Sequence, residues 1–386
     1  MSNLHKKIEN LTPEQKDLLL KKLKIKGLRK TGKEKTSKPT SEYKFGKDDN
    51  FAYKLSLPPN FLKTEFISLD ISDPMPEMIQ IEAKAASINF RDIMIAMGIY
   101  PQTPEIPSVM GSDFAGVVTK VGKRVTKFKK GDKVMVLSIG SFNKDGSIDP
   151  DSHFNRFMNV SEKQAFPMPD MMDFSQAASI PTVFVTGYYS LFETGRLKAG
   201  ETVLIHTATG GVGMAAIELC RWKGATIFAT AGSVEKRQIL KDMGIPLVMD
   251  SRSTDFAQQI KDYTGGKGVD VVFNTLAGEG MMAGIDVLNY FGRFLQIDKK
   301  DIALNHNLPL GKFNKGISFT AIDLGLLLRD YEKINQHLYE VTKLFNERKI
   351  KLTNLKVFPY HHLGKALNLM SRSVHTGKLV INYDSL

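Results

Sequence analysis

One cysteine, Cys220, stands in a chain of 386 residues. A lone thiol excludes an internal disulfide and any structural zinc site built on several cysteines, and it fits a reducing compartment. Long apolar runs are missing too. No stretch reaches the roughly eighteen hydrophobic residues that a membrane span needs, and the first residues are polar and lysine-rich, without the apolar core of a secretory signal. The expectation is a soluble globular protein of the cytoplasm. Acidic residues are the minority, 41 against 53 Lys and Arg, for a formal net charge of +12. Residues 1–49 hold 14 Lys and Arg against 7 Asp and Glu, so +7 of the excess lies in that arm. No aromatic residue stands among the lysines of residues 1–42, so the stacking surface of a nucleic-acid binder is lacking. A basic arm of this kind suits an acidic protein partner.

What is present divides the chain. In "LTPEQKDLLLKKLKIKG" (11–27), Thr12 as N-cap, Pro13 at the first helical position and Gln15 three residues on predict a short amphipathic helix ending at Gly27. A lysine-, serine- and threonine-rich linker follows over 30–50. Short, glycine-punctuated apolar runs such as "MIQIEAKAASI" and "KVMVLSIG" predict a strand-rich domain over 51–173. Over 174–322, strand-like "TVLIH", "TIFAT", "PLVMD", "DVVFN", "RFLQI" and "ISFTAI" alternate with helical patterns, the signature of an α/β doubly wound parallel sheet, the Rossmann arrangement. Residues 323–386 hold one long amphipathic helix, 324–350, and a closing strand, "GKLVINY". The adjacent His361 and His362 are expected to point apart on a strand, and the 17 methionines to fill cores.

The stretch "IHTATGGVGMAAIELC" (205–220) runs from a buried strand through a glycine turn into a helix. Backbone amides and the helix dipole at such a point favour a pyrophosphate. Gly210 and Gly211 permit close approach of a ligand, Val212 follows on the same turn, and Gly213 lets the helix pack on the strand. Ala208 stands where the first glycine of the usual G-x-G-x-x-G would be, which is acceptable if that position needs no positive φ. The end of the second strand, "FATAGSVEKRQ" (228–238), selects the cofactor. NAD wants a carboxylate there for its ribose hydroxyls, whereas a 2′-phosphate wants cations. Thr230, Ser233, Lys236 and Arg237 favour NADPH, and the direction taken by Glu235 is left open.

The motifs "GSDFAGVVTKVGKRVTKFKKGDKV" (111–134) and "AASIPTVFVTGYYSL" (177–191), in order with the glycine turn, resemble the medium-chain dehydrogenase/reductase superfamily. Its zinc alcohol dehydrogenases carry a His where Ser112 stands, together with a cysteine-rich lobe, so no metal is expected. The motifs "INFRDIMIAMGIYP", "GGKGVDVVFNTLAGE", "GRFLQIDKKDI", "AIDLGLL" and "HTGKLVI" are similar to enoyl reductase domains of modular polyketide synthases and of animal fatty acid synthase, over roughly residues 50–383. That resemblance implies a GroES-like substrate domain beside the Rossmann domain. It also implies NADPH-dependent reduction of an α,β-unsaturated thioester on an acyl carrier protein, and contact with other synthase subunits through the N-terminal helix. By the same resemblance Lys299 and Asp323 serve protonation and positioning, Tyr100 delivers a proton to the α-carbon, Asn274 joins the cofactor site, and Asn89, Arg91 and Asp92 brace the substrate pocket. The usual glycine before the lysine is Asp298, a departure. Alternatives are a zeta-crystallin-type quinone or enone reductase, reductive cyclopropane closure of a halogenated enoyl thioester, and an NADPH-binding scaffold without turnover.

Overall fold

The computed structural model describes residues 45–46, 48–55, 59, 61, 64–100, 109–352 and 354–383. The expected helix at 11–27 and most of the linker lie outside the described residues. Phe45–Asp298 and Pro309–Leu386 form one body, and Lys299–Leu308 falls in a separate unit.

In chain order the body opens with β1 (Phe51–Tyr53), β2 (Phe66–Ser68), β3 (Met78–Ile88), α1 (Phe90–Ala96), β4 (Asp113–Val121), β5 (Lys133–Leu137), β6 (Phe157–Ser161) and β7 (Ala165–Pro167). Two short helices, α2 (Phe174–Ala178) and α3 (Pro181–Tyr188), lead into β8 (Thr202–Ile205), α4 (Gly211–Lys223), β9 (Thr226–Ala231), α5 (Val234–Asp242), β10 (Leu247–Asp250), α6 (Phe256–Tyr263), β11 (Val269–Asn274), α7 (Glu279–Asp286) and β12 (Leu288–Gln296). The separate unit carries α8 (Lys300–Ala303). The body resumes with β13 (Ser318–Ala321), α9 (Leu324–Leu327), α10 (Tyr331–Asn346), β14 (Leu355–Pro359), α11 (Leu363–Ser371) and β15 (Lys378–Asn382).

A six-stranded sheet has the order β10-β9-β8-β11-β12-β13 with every pairing parallel. Numbered along the chain this is 3-2-1-4-5-6, the doubly wound order, with its switch point between β8 and β11. Val203, Leu204 and Ile205 of β8 and Val271, Val272 and Phe273 of β11 are all fully buried, as strands covered on both faces must be. The seven-stranded sheet runs β14-β15-β3-β4-β5-β7, with β6 also on β3, and is antiparallel except for the β14–β15 pair. The long strand β3 takes β15 at its C-terminal half and β6 at its N-terminal half. The last strand among the described residues is thereby built into the antiparallel sheet.

Two expectations change. The helix expected over 324–350 is broken, because Asp330 accepts a hydrogen bond from Lys333 N at 3.1 Å and caps a new helix, α10. His361 and His362 lie in a 3₁₀ turn, Tyr360–His362, with ring centroids 4.3 Å apart. They do not point to opposite sides of a strand. Among the described residues no helix is long and apolar enough to cross a membrane.

Candidate active site

Beyond β8 the chain turns through His206–Thr209 into α4, with Gly210 as its extended N-cap (φ −77°, ψ 168°). The left-handed residue of this turn is Thr207 (φ 46°), so Ala208 sits where no positive φ is required. Ala208 is fully buried and donates its N–H to Thr230 O at 2.9 Å. Gly213 is a steric necessity, because a Cβ there would lie 2.7–2.8 Å from the backbone of Ala208. At Gly210 a Cβ would touch only Thr207 O at 3.4 Å, which leaves that face of the turn open. The first-turn amides of α4, including Gly211 and Val212, have no acceptor within the helix. Across the switch point, Thr207 Oγ1 and Thr275 Oγ1 stand 2.5 Å apart.

Ser233 caps α5 after β9, accepting from Lys236 N at 3.3 Å, and Glu235 is exposed with its carboxylate tied to the Ser233 hydroxyl. Lys236 Nζ donates to Ser373 O at 2.8 Å. Burial, and after it the neighbouring Arg252 guanidinium, hold Lys236 below the ordinary lysine range. Arg237 is engaged elsewhere. Its Nη1 donates to Asp250 Oδ2 at 2.7 Å and to Ala231 O at 3.2 Å, joining the ends of β9 and β10. Arg252 is the cation against Gly232, its Nε 3.2 Å from where a Cβ would be. Thr230 is buried, paired with His206 Nδ1 at 2.9 Å. Asn274 is also fully buried, its Nδ2 donating to Leu276 O at 2.7 Å and Gln296 Oε1 at 2.6 Å. Gln296 Nε2 donates on to Asp298 O at 2.8 Å, so Asn274 braces the carboxyl ends of β11 and β12.

On the side of the seven-stranded sheet a buried polar cluster forms around Lys378, which is 3% exposed. Its Nζ donates to Asn89 Oδ1 at 2.7 Å, Ile88 O at 3.3 Å and Asp113 Oδ2 at 3.4 Å. Asp113 also accepts from Thr182 Oγ1 at 2.6 Å, Thr182 N at 3.1 Å, Asn89 Nδ2 at 2.9 Å and Ser87 Oγ at 3.1 Å. Burial pushes the Lys378 ammonium below its usual range, against the pull of Asp113 and Asp92. Asp92 is buried as well. Desolvation raises its carboxyl, opposed by the N–H groups of Asn89 and Gly111 at 2.7 and 2.9 Å. Arg91 Nη1 donates to Val109 O at 2.9 Å, and its guanidinium lies 5.1 Å from the centroid of the Tyr100 ring.

Tyr100 and Asp323 converge. A Cβ on Gly325 would lie 3.0 Å from Asp323 Oδ1 and 3.7 Å from Tyr100 Oη. Asp323 caps α9 and accepts from Gly325 N at 2.7 Å. Lys299 is the N-cap residue of α8, in the separate unit, and its O accepts from Ala303 N at 2.8 Å.

Sequence reasoning misses Lys378, Asp113, Thr182 and Arg252. The available signals are charges in strand contexts: Lys378 opens "KLVIN", Asp113 opens "DFAGVV", and a lysine or aspartate on a buried strand is uncommon unless paired. Arg252 follows β10 by two residues.

The chain matches the family models "Alcohol dehydrogenase GroES-like domain" over residues 75–170 and "Zinc-binding dehydrogenase" over 211–338. Zinc does not fit here. Ser112 accepts from Asn89 Nδ2 at 3.4 Å, burial raises the Cys220 thiol, and no group of three His, Cys, Asp or Glu among the described residues is arranged to hold a metal. The chain is 40% identical over 310 residues to phthioceranic/hydroxyphthioceranic acid synthase of Mycobacterium tuberculosis, covering 80% of this chain and 14% of the synthase. It thus spans only a small part of the curated relatives it matches. Among solved structures, CurK enoyl reductase is 31% identical with a TM-score of 0.75, covering 87% of this chain and 99% of that one. The CurF ER cyclopropanase from the curacin A biosynthetic pathway is 27% identical with a TM-score of 0.77, covering 86% and 99%.

Proposed function

The chain belongs to the medium-chain dehydrogenase/reductase superfamily, among its polyketide enoyl reductases, and from that premise we propose that it reduces the double bond of an α,β-unsaturated acyl thioester borne by an acyl carrier protein, with NADPH as reductant. The cofactor is a nicotinamide dinucleotide. The choice of NADPH over NADH is supported by Lys236 and Arg252 beside Ser233 and Gly232, a cationic corner suited to a 2′-phosphate. The amides at the start of α4 take the pyrophosphate.

When bound, the reduced nicotinamide supplies a hydride to the β-carbon of the enoyl group. Charge then gathers on the thioester oxygen, and the α-carbon must take a proton. Tyr100 hands over its phenolic proton, with Arg91 over its ring to hold its orientation. Asp323, fixed by Gly325 N–H, positions the donor. Lys299 is assigned to protonation by the family resemblance alone. The observation that carries this reading is the meeting at Gly325 of a phenol from the loop after α1 and a carboxylate from the end of β13. The likeness to CurK enoyl reductase, which spans nearly all of that chain, supports the thioester substrate.

The test is incubation with NADPH or NADH and crotonyl groups on pantetheine or carrier protein, following cofactor absorbance and product mass together. NADPH-dependent formation of the saturated thioester is expected, with kcat in Tyr100→Phe lowered by about 10²-fold and NADPH affinity unchanged. Brisk NADPH oxidation by a quinone with no thioester reduced would move the protein to the quinone reductases. Tight NADPH binding with no turnover at all would make it a scaffold. A γ-halogenated enoyl thioester losing halide to a cyclopropane would reassign the product.

A further inference from the structure

An ammonium has only hydrogen-bond donors and a carboxylate only acceptors, whereas a carboxamide has one of each and can be turned over. Asn89 lies between the two kinds of charge. Its Oδ1 takes Lys378 Nζ at 2.7 Å and its Nδ2 gives to Asp113 Oδ2 at 2.9 Å. Rotating the amide by half a turn would set donor against donor and acceptor against acceptor, inside a cluster where Asn89 is 8% exposed, Lys378 3% and Asp113 0%. A neutral pair in the same places would accept either orientation. We propose that Lys378 and Asp113 are positioning residues that clamp the Asn89 amide in one orientation and thereby control how the nicotinamide end of the cofactor is held.

The cluster is tied to the phosphate turn and not only to the seven-stranded sheet. The Lys378 stem covers the first residue of α4, where a Cβ on Gly211 would lie 2.7 Å from Lys378 Cδ. The preceding residue, Gly377, donates its N–H to Thr209 O at 2.8 Å. The second hydrogen of Asn89 Nδ2 has a long contact, Ser112 Oγ at 3.4 Å, and is the donor available to a ligand carbonyl. A carboxamide is the group such a site reads, and the nicotinamide carries one. All three protons of Lys378 are committed, to Asn89, Ile88 and Asp113, so it serves by position and not as an acid. A buried ion pair is seldom the most stable choice for its volume, which is consistent with a role in specifying geometry.

The inference rests on the dinucleotide reading alone, and its test needs no acyl substrate. Lys378→Met on its own strands a buried carboxylate and is expected to lose stability. The double variant Lys378→Met with Asp113→Asn removes both charges at nearly constant volume and lets Asn89 turn over. Asn89→Leu keeps the ion pair and deletes the amide. For each variant, dissociation constants are measured for NADPH and for 2′,5′-ADP, which has the adenosine end only. The expected result is NADPH binding about tenfold weaker, with 2′,5′-ADP binding changed by less than about twofold, in both the double variant and Asn89→Leu. Equal losses for the two ligands, or an unchanged NADPH constant in Asn89→Leu, would overturn the clamp. Failure to turn over any thioester would leave both constants measurable and would bear only on the substrate.

Discussion

In the parallel sheet, most of the groups suited to a dinucleotide are neighbours along the chain, with Arg252 joining them from beyond the adjacent strand. Thr207 to Gly213 make the turn, and Ser233, Lys236 and Arg252 gather just beyond β9 and β10. In the antiparallel sheet the polar cluster draws Asn89, Asp113, Thr182 and Lys378 from four separate segments, with Lys378 bonding to a carbonyl 290 residues earlier in the chain. The first construction relies on backbone amides at a helix end, which a local motif can arrange. The second relies on buried charge, which has to be matched group by group. A local site is therefore expected to fail through single steric changes, and a dispersed one through loss of partners.

The largest effect is expected from Gly213→Val. Two methyl groups added to a Cβ already 2.7–2.8 Å from Ala208 would force α4 off the turn, weakening dinucleotide binding by more than about 10²-fold or abolishing folding. Titration of the purified variant with NADPH and a thermal melt separate the two outcomes. Wild-type affinity would show that the turn is not the phosphate site.

Acid acts next, through histidines that burial keeps neutral: among the described residues His153, His206, His337 and His375 are all lowered in this way. Burial lowers His153, which lies between β5 and β6 and whose Nδ1 accepts from Met110 N at 3.0 Å, to about 4. It lowers His206, beside the glycine turn, to about 3. Both folded values lie below the unfolded value of about 6.5, so the unfolded chain binds protons first. The stabilisation is full above about pH 6.5 and is lost as pH falls toward the folded values, by about 2 kcal/mol for each histidine at pH 5. Urea midpoints at pH 7 and pH 5 check this. His206→Gln, which retains a partner for Thr230, should remove its own share of the acid loss, about 2 kcal/mol at pH 5, and an unchanged acid loss would locate the sensitivity elsewhere.

The smallest effect sharpens the comparison inside the local site. Arg252→Ala should raise the KM for NADPH about tenfold and leave that for NADH within about twofold. Arg237→Ala should change either by less than about twofold, because its guanidinium is bound to Asp250 and Ala231. Reversal of that order would restore Arg237 to the cofactor corner.

How much is legible in the sequence follows from reach along the chain. Alternating apolar runs predict six parallel strands, and the doubly wound order 3-2-1-4-5-6 is what the body contains. The glycine turn is equally readable, since strand, glycines and helix are contiguous. Residues 324–350 read as one helix because amphipathic period carries through Asp330, and only the capping bond to Lys333 reveals the break. The sequence points to Arg237 rather than Arg252 because Arg237 adjoins Lys236. A residue on α5 can still face β10, and one after β10 can face the end of β9.

The sequence by itself determined the parallel sheet and the place of the glycine turn between strand and helix, because each depends on residues close together along the chain. Tertiary structure alone decided that Lys378 meets Asn89 and Asp113, that Tyr100 and Asp323 flank Gly325, and that Arg252 faces Gly232. Those meetings depend on strand register and crossover, and a charged side chain is driven to a buried partner by desolvation whatever its distance along the chain.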